Sequence, residues 1–158
     1  MSLLKISPAD STQQIQSARA LFEEYAAELN ISFCFQGFSE ELDGLPGKYA
    51  PPSGRLLLAG SDGQLAGCVA VRKIEDGICE MKRLYVRPPF RGLKIGRRLA
   101  EAIIAEARQI GYPTMRLDTL RKLQAALTLY DSLGFKTIPP YYDNPIEDVV
   151  YLELKLGI

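Results

Sequence analysis

Histidine is absent from the chain, and that absence excludes more chemistry than any other feature of the composition. Without imidazole there is no Ser-His-Asp or Cys-His nucleophile pair, no HExxH zinc site and no histidine general base. Any acid–base step must run on a carboxylate, tyrosine, cysteine, lysine or water. Cysteine is scarce: Cys34, Cys68 and Cys79 are isolated and odd in number, with no CxxC pair. Two of them lie in apolar strand-like runs, where inert core thiols are expected, and such usage suits a reducing compartment. Net charge is lacking too, since 19 basic residues balance 19 acidic ones. No global positive field exists to hold nucleic acid or anionic lipid, so neither is expected as a partner. No apolar run approaches about 18 residues and no leader pattern precedes the fold. A soluble cytoplasmic protein is the expectation.

What is present is a composition that can bury a core: 47% apolar and 24% charged over 158 residues, the size of one ordinary domain spanning 1–158. Leu3–Ile6 reads as an opening strand, Ser7–Ser11 as a turn with a capping residue. Ile15, Ala18, Leu21, Phe22, Tyr25 and Leu29 follow helical spacing. The stretch from Phe33 to Pro52 is irregular, with a short helix near Ser39–Asp43. Strands follow at Arg55–Gly60, Gln64–Ile74 and Ile78–Val86, joined by the Asp62-Gly63 and Asp76-Gly77 turns as an antiparallel meander. The pattern then changes to a helix over Lys94–Ile110 stopped by Gly111, a strand over Pro113–Leu120, a helix over Gln124–Leu133 closed by Gly134, a strand from Phe135 to Ile138 and a closing strand over Val149–Leu156. The fold class predicted is a mixed α/β sheet, antiparallel first and then βαβαβ.

The run from Leu84 through Pro88-Pro89 to Leu99 carries the chemistry. A strand enters a short glycine-containing loop that becomes the start of a helix. Unpaired amides there, at the positive end of the helix dipole, make an anion site. Gly92 and Gly96 allow close approach of a ligand to the backbone, and Arg91 adds charge. A compact basic cluster (Lys82, Arg83, Arg87, Arg91, Lys94, Arg97, Arg98) suits one polyphosphate ligand. The segment is neither a Walker loop nor a GxGxxG fingerprint. On the residues alone, a helix start with a solvated basic face accounts for it as well.

Arg91-Gly92-Leu93-Lys94-Ile95-Gly96 resembles the Arg/Gln-x-x-Gly-x-Gly/Ala motif of the GNAT superfamily of N-acetyltransferases, with Lys94 where the motif has its first glycine. In the family backbone amides hold the anion, and lysine supplies one, so the departure is tolerated if Lys94 keeps the helical dihedrals expected of it. Leu129-Tyr130-Asp131-Ser132-Leu133-Gly134-Phe135 resembles the family's Leu-Tyr-x-x-x-Gly-Phe signature, and the order of elements fits over nearly the whole chain. Leu123 departs from the pattern, standing where members often carry an asparagine that contacts the pantetheine arm.

The resemblance implies a GNAT-like fold whose central parallel strands splay apart, acetyl-CoA as cosubstrate and no metal. The partner is a small or peptidic amine, and a homodimer is compatible with the sequence. It implies that the backbone of Val86 and of Gly92, Leu93, Lys94, Ile95, Gly96 and Arg97, with Arg91 alongside, holds the pyrophosphate. The pantetheine arm is to pair with the edge of Leu84–Val86, and an amide at Leu84 or Tyr85 is to stabilise the oxyanion. Glu80, eleven residues ahead of Arg91, matches the spacing of the catalytic glutamate in some members; partial burial is expected to raise its pKa. A strand carboxylate paired with Lys82 or Arg72 is the alternative. Tyr130 is the candidate general acid for the leaving thiolate, or a core tyrosine. Thr119 bonds the pantetheine or caps its strand.

The acceptor side is open. Phe33, Phe35, Phe38, Tyr49, Tyr141 and Tyr142 wall a pocket or anchor loops. Glu40, Glu41, Asp43, Asp143 and Asp148 lend these segments an acidic cast that favours a cationic amine. Direct transfer in a ternary complex, an acyl-CoA sensor without turnover, and transfer of a longer acyl group are all compatible with the motifs.

Overall fold

The computed structural model describes residues 3–29 and 37–157. Among the described residues thirteen elements run in the order β1 (Leu4–Pro8), α1 (Thr12–Leu29), α2 (Phe38–Asp43), a 3-10 turn at Gly47–Tyr49, β2 (Arg55–Ser61), β3 (Gln64–Glu75), β4 (Ile78–Val86), a 3-10 turn at Pro88–Phe90, α3 (Ile95–Ile110), β5 (Thr114–Leu120), α4 (Gln124–Ser132), β6 (Lys136–Ile138) and β7 (Val149–Lys155). The seven strands form one sheet in the order β1-β2-β3-β4-β5-β7-β6. The chain order is the predicted one, and β7 inserts between β5 and β6, antiparallel to both. Phe33 and Phe35, with Cys34, fall outside the described residues.

Both faces of the sheet are covered, which is why β2 reads as a continuous apolar run and not as an alternation. Leu57, Ala59, Val69, Val71, Cys79, Met81, Met115 and Leu117 face α3, meeting Leu99, Ile103 and Ile104. Leu56, Leu58, Cys68, Ala70 and Tyr85 turn to the other side, against Leu21 and Phe22 of α1 and against Tyr49. Cys68 and Cys79 are free thiols buried on opposite faces. Burial raises the Cys79 thiol to about 12 and drives Cys68 upward as well, so neither is a nucleophile. α1 opens with a capping box: the Gln14 amide donates to Ser11 Oγ and the Ser11 amide to Gln14 Oε1.

Two irregularities of β4 position everything that follows. Its parallel ladder with β5 has three pairs, Ile78↔Thr114, Cys79↔Met115 and Glu80↔Arg116, and then stops, although both strands continue. A bulge also interrupts the β3–β4 register: Cys68 faces Tyr85 and Ala70 faces Lys82, so Arg83 and Leu84 together oppose Val69. Arg83 has φ of 61°, an uncommon conformation for a side chain of that size. The extra residue directs both Lys82 and Arg83 toward groups on the α1 side, while Leu84 returns to the α3 core.

Gly67 is fixed by the close approach of β4. A Cβ there would lie 2.4 Å from the Tyr85 carbonyl oxygen and 3.2 Å from Leu99 Cδ1. Gly67→Ala must push backbone apart and should destabilise the protein by about 2 kcal/mol, the middle of the range for overpacked cores. At roughly 2–4 °C per kcal/mol for a chain of this size, a calorimetric Tm close to that of the parent would refute the packing assignment.

Candidate active site

Past Glu80 and Arg116 the edges of β4 and β5 face each other without a ladder. The gap is a cleft walled by Met81 to Leu84 on one side and Leu117 to Leu120 on the other, with Tyr25 and Leu29 of α1, Leu123, Tyr130, Asn144, Ile146 and Val149 completing it. The expected splay of the central strands is therefore present, and Leu84, Thr119 and Tyr130 all line it. Tyr85 points to the α1 side, its ring 5.7 Å from that of Tyr25. Val86 returns to the α3 core, against which Gly96 packs closely.

At the end of β4 the chain turns through Pro88–Phe90 into the loop ahead of α3. None of the six amides from Gly92 to Arg97 donates a hydrogen bond to another described residue; the first helical bond of α3 is from the Arg98 amide to the Lys94 carbonyl. Gly92, Leu93 and Lys94 are exposed. Six amides without a described partner at the head of a 16-residue helix give the geometry an anion requires.

Two expectations for this loop change. Lys94 is not helical: it is the N-cap of α3 with φ 63° and ψ 20°, the left-handed region. A glycine at this position of the motif is thus explained by conformation, and Lys94 holds the same turn under strain of the order of 1 kcal/mol. Arg91 does not aim its charge at the loop amides. Its Nε donates to the Val86 carbonyl at 2.9 Å, its Nη2 meets Glu28 Oε2 at 2.6 Å, and the guanidinium lies 5.8 Å from the Tyr85 ring centre. Arg87 is held in the same way by Glu24, at 2.7 and 3.0 Å. Arg97 donates to Ser132 Oγ at 2.8 Å, tying the head of α3 to α4. Gln124, which could replace the missing asparagine, donates its amide to the Arg121 carbonyl at 2.7 Å.

Tyr130 is 7% exposed, stands against the Phe135 ring at 5.6 Å and lines the cleft. It therefore belongs to the core and to the cleft at once. Burial, helped by Tyr25 and Asp118, raises its pKa well above the ordinary tyrosine value, keeping the hydroxyl protonated.

Glu80 is 1% exposed. Its Oε1 accepts from Arg72 Nε at 2.9 Å, its Oε2 accepts from the Tyr141 hydroxyl at 2.6 Å, and Lys82 Nζ lies 3.9 Å away. Burial pushes its pKa up, but Lys82, Arg72 and the Tyr141 hydroxyl outweigh it and the net shift is downward. This is opposite to the expected rise, because the expectation counted burial and not the two cations that the fold brings to the carboxylate. Both partners named as the alternative, Arg72 and Lys82, are present.

The network extends beyond what sequence reasoning found. Lys82 also lies 4.0 Å from Asp118, which accepts a short hydrogen bond from Tyr142; Asn144 in turn donates to Tyr142 at 2.8 Å. Arg72, Glu80, Lys82, Tyr141, Tyr142 and Asp143, with Ile74, line a second opening. Tyr141 and Tyr142 thus anchor their loop by hydrogen bonds to strand carboxylates. Phe38 lies under Arg83, and Tyr49 is buried in the α1-side core. The acidic cast is largely neutralised: Glu41 pairs with Arg83, Asp43 with Arg19 and Asp148 with Arg121. Asp118, Tyr25 and Asn144 were missed as site residues. The available signal was charge at inward positions of two neighbouring strands, the buried Glu80 and Lys82 on β4 with the half-buried Arg116 and Asp118 on β5.

Because its folded pKa is depressed, Glu80 contributes stability above its unfolded pKa, near 4.3, and loses that contribution as pH falls through its folded value. Glu80→Gln should flatten the acid limb of a stability–pH curve measured by urea unfolding. An acid limb as steep as the parent's would contradict the assigned ion pairs.

Residues 18–135 match the acetyltransferase (GNAT) family. An uncharacterized N-acetyltransferase of Schizosaccharomyces pombe is 45% identical over 158 aligned residues, covering 99% of this chain and 97% of its own. Among solved structures, an acetyltransferase of the GNAT family from Staphylococcus aureus superposes with a TM-score of 0.81 at 18% identity, over 98% of this chain and 100% of its own. The structure of yncA from Salmonella typhimurium with its cofactor acetyl-CoA superposes with a TM-score of 0.69 at 21% identity, over 98% and 94% of the two chains.

Proposed function

The chain belongs to the acetyltransferase (GNAT) family, and we propose that it moves an acetyl group from acetyl-CoA to a primary amine by direct attack in a ternary complex. The observation that carries this reading is the run of six amides, Gly92 to Arg97, that donate to no described residue, one 3-10 turn beyond the strand that walls the cleft. A pyrophosphate at those amides leaves the pantetheine arm to run along Leu84–Val86, toward Tyr130 and Thr119. The acetyl-CoA bound by the Salmonella typhimurium neighbour supports the choice of coenzyme.

Four tasks then fall to named groups. The loop amides hold the diphosphate. An amide at Leu84 or Tyr85, beside the bulge at Arg83, stabilises the tetrahedral oxyanion; such a donor is worth on the order of 100- to 1000-fold in rate. Tyr130, kept protonated by burial, gives its proton to the departing thiolate. The acceptor enters by the second opening, bounded by Arg72, Glu80, Tyr141 and Tyr142.

Free CoA release, followed with a thiol reagent across spermidine, L-leucine, kanamycin and a peptide with a free N-terminus, tests the activity. Turnover of at least one amine is expected; tight acetyl-CoA binding with no turnover would favour a sensor. Tyr130→Phe should lower kcat by on the order of 100-fold with little change in KM for acetyl-CoA, and an unaltered kcat at neutral and alkaline pH would remove the acid role. Lys94→Ala should weaken acetyl-CoA binding in calorimetry more at low salt than at high, since an exposed ammonium acts on phosphate through a screened field. Equal losses at both ionic strengths would mean that Lys94 contributes backbone alone.

A further inference from the structure

The tetrahedral intermediate needs a donor aimed at its oxygen, and the amides of Leu84 and Tyr85 are the candidates on β4. The bulge decides between them. The Arg83 carbonyl accepts the Cys68 thiol at 3.3 Å, and Cys68 belongs to β3, on the α1 side of the sheet. The Arg83–Leu84 peptide is trans, and in a planar trans peptide the carbonyl and the N–H point in opposite directions. β3 lies on one flank of β4 and β5 on the other. The Leu84 N–H therefore turns away from β3, toward the edge where the ladder with β5 has ended. Leu84 lines the cleft there.

A regular strand would not hold that peptide in this way. The φ of 61° at Arg83 is disfavoured for a residue with a long side chain. With plain alternation Arg83 would follow Met81 to the α3 side, and Leu84 would turn to the α1 side. The side chain prevents this. Its Nε and Nη2 donate to Oε2 and Oε1 of Glu41, both at 3.0 Å, and the guanidinium lies 5.1 Å from the Phe38 ring centre. It is 3% exposed. On the α3 side it would meet Leu99 and Ile103 in place of a carboxylate, at the full cost of a buried charge without a partner. Glu41 and Phe38 both belong to α2, so the direction of the peptide is set from outside the sheet.

We propose that Arg83 is a positioning residue of the acyl transfer, its fork to Glu41 and its thiol-bonded carbonyl holding the peptide that aims the Leu84 amide at the thioester oxygen. The proposal rests on the N-acetyltransferase reading. Arg83 itself touches no reacting atom. As the nitrogen of the free amine bonds to the thioester carbon, negative charge gathers on the carbonyl oxygen and the Leu84 N–H donates to it. The carbon–sulfur bond then breaks, the carbonyl re-forms and the sulfur leaves with its electron pair. The proton shed by the new amide nitrogen reaches the sulfur through the Tyr130 hydroxyl, and nothing is oxidised or reduced. A donor fixed in advance needs no reorientation as the charge develops.

Arg83→Lys keeps the charge but gives up the fork. Its Tm should fall whether the residue positions the amide or only supports the fold, so rates are compared well below unfolding. With a panel amine that the parent turns over, kcat should drop by on the order of 100-fold, the cost of a small misplacement at the reacting centre. The KM for acetyl-CoA and the shape of the kcat–pH profile should hold. Cys68→Ala removes the thiol bond without touching a charge and should lower kcat about threefold; Cys68→Ser, which keeps a donor, should recover most of that.

A further measurement needs no turnover. In protein carrying 15N-leucine, the Leu84 amide, assigned by its loss in Leu84→Met, should move downfield on binding the dethia analogue of acetyl-CoA, a ketone that cannot transfer its acetyl group, relative to CoA. That displacement should shrink in Arg83→Lys. A parent-like kcat in Arg83→Lys, a fall in kcat matched by a rise in the KM for acetyl-CoA, or a Leu84 amide that the ketone leaves unmoved would overturn the positioning role. Absence of turnover by the parent protein would sink the N-acetyltransferase reading and this role with it, whereas full turnover in the variant sinks only the latter.

Discussion

The structure depends on two adjacent parallel strands that pair for three residues and then part. A parallel ladder normally continues as long as both strands do. Here β4 and β5 run on with their facing edges unladdered, in a sheet covered on both faces. The bulge at Arg83 falls three residues beyond the last pair and adds the bend that such insertions bring. A gap made in this way is lined by backbone donors and acceptors as well as side chains, and a ligand with amides of its own can use them as a third strand would.

Charge replaces the lost ladder as the means of holding the parted strands in place. Glu80 and Lys82 on β4 face Arg72 on β3 and Asp118 on β5, and Tyr141 and Tyr142 fasten the β6–β7 loop to two of them. On the neighbouring side Arg83 makes two 3.0 Å bonds to Glu41 and carries the Phe38 ring, so α2 is fastened to the bulge itself. Replacing such buried pairs with apolar groups can leave stability unchanged, while breaking one partner costs several kcal/mol. Their value is therefore in fixing geometry where the two strands part.

Much of this was legible in sequence. Every strand and the three longer helices follow from period and turn chemistry, with ends displaced by one or two residues, and the glycine loop ahead of α3 and the place of Tyr130 in the cleft follow from motif. Three things were not legible. The left-handed turn at Lys94 was hidden because lysine carries no conformational signal, whereas the glycine usual at that position does. The direction of the Glu80 shift was open because burial acts against the two named partners, Lys82 and Arg72, and only the β3–β4 register that sets Arg72 opposite Glu80 decides between them. The insertion of β7 between β5 and β6 left no local trace, since an antiparallel strand at the chain end has the same alternation wherever it docks.

The arginines of the β4–α3 connection were expected to serve a ligand, and two of them serve α1. Glu24 and Glu28 lie one helical turn apart and hold Arg87 and Arg91, some 63 residues away in sequence. These pairs are half-exposed, so each contributes at most about 1 kcal/mol. Two parallel rungs nonetheless set the angle between helix and loop as one rung could not. The loop proposed to hold the diphosphate is therefore tied to the N-terminal helix as well as to the strand that precedes it, and ionic strength bears on it twice. Salt screens the charge that a diphosphate would meet, and it also loosens the rungs that keep the receiving amides in line.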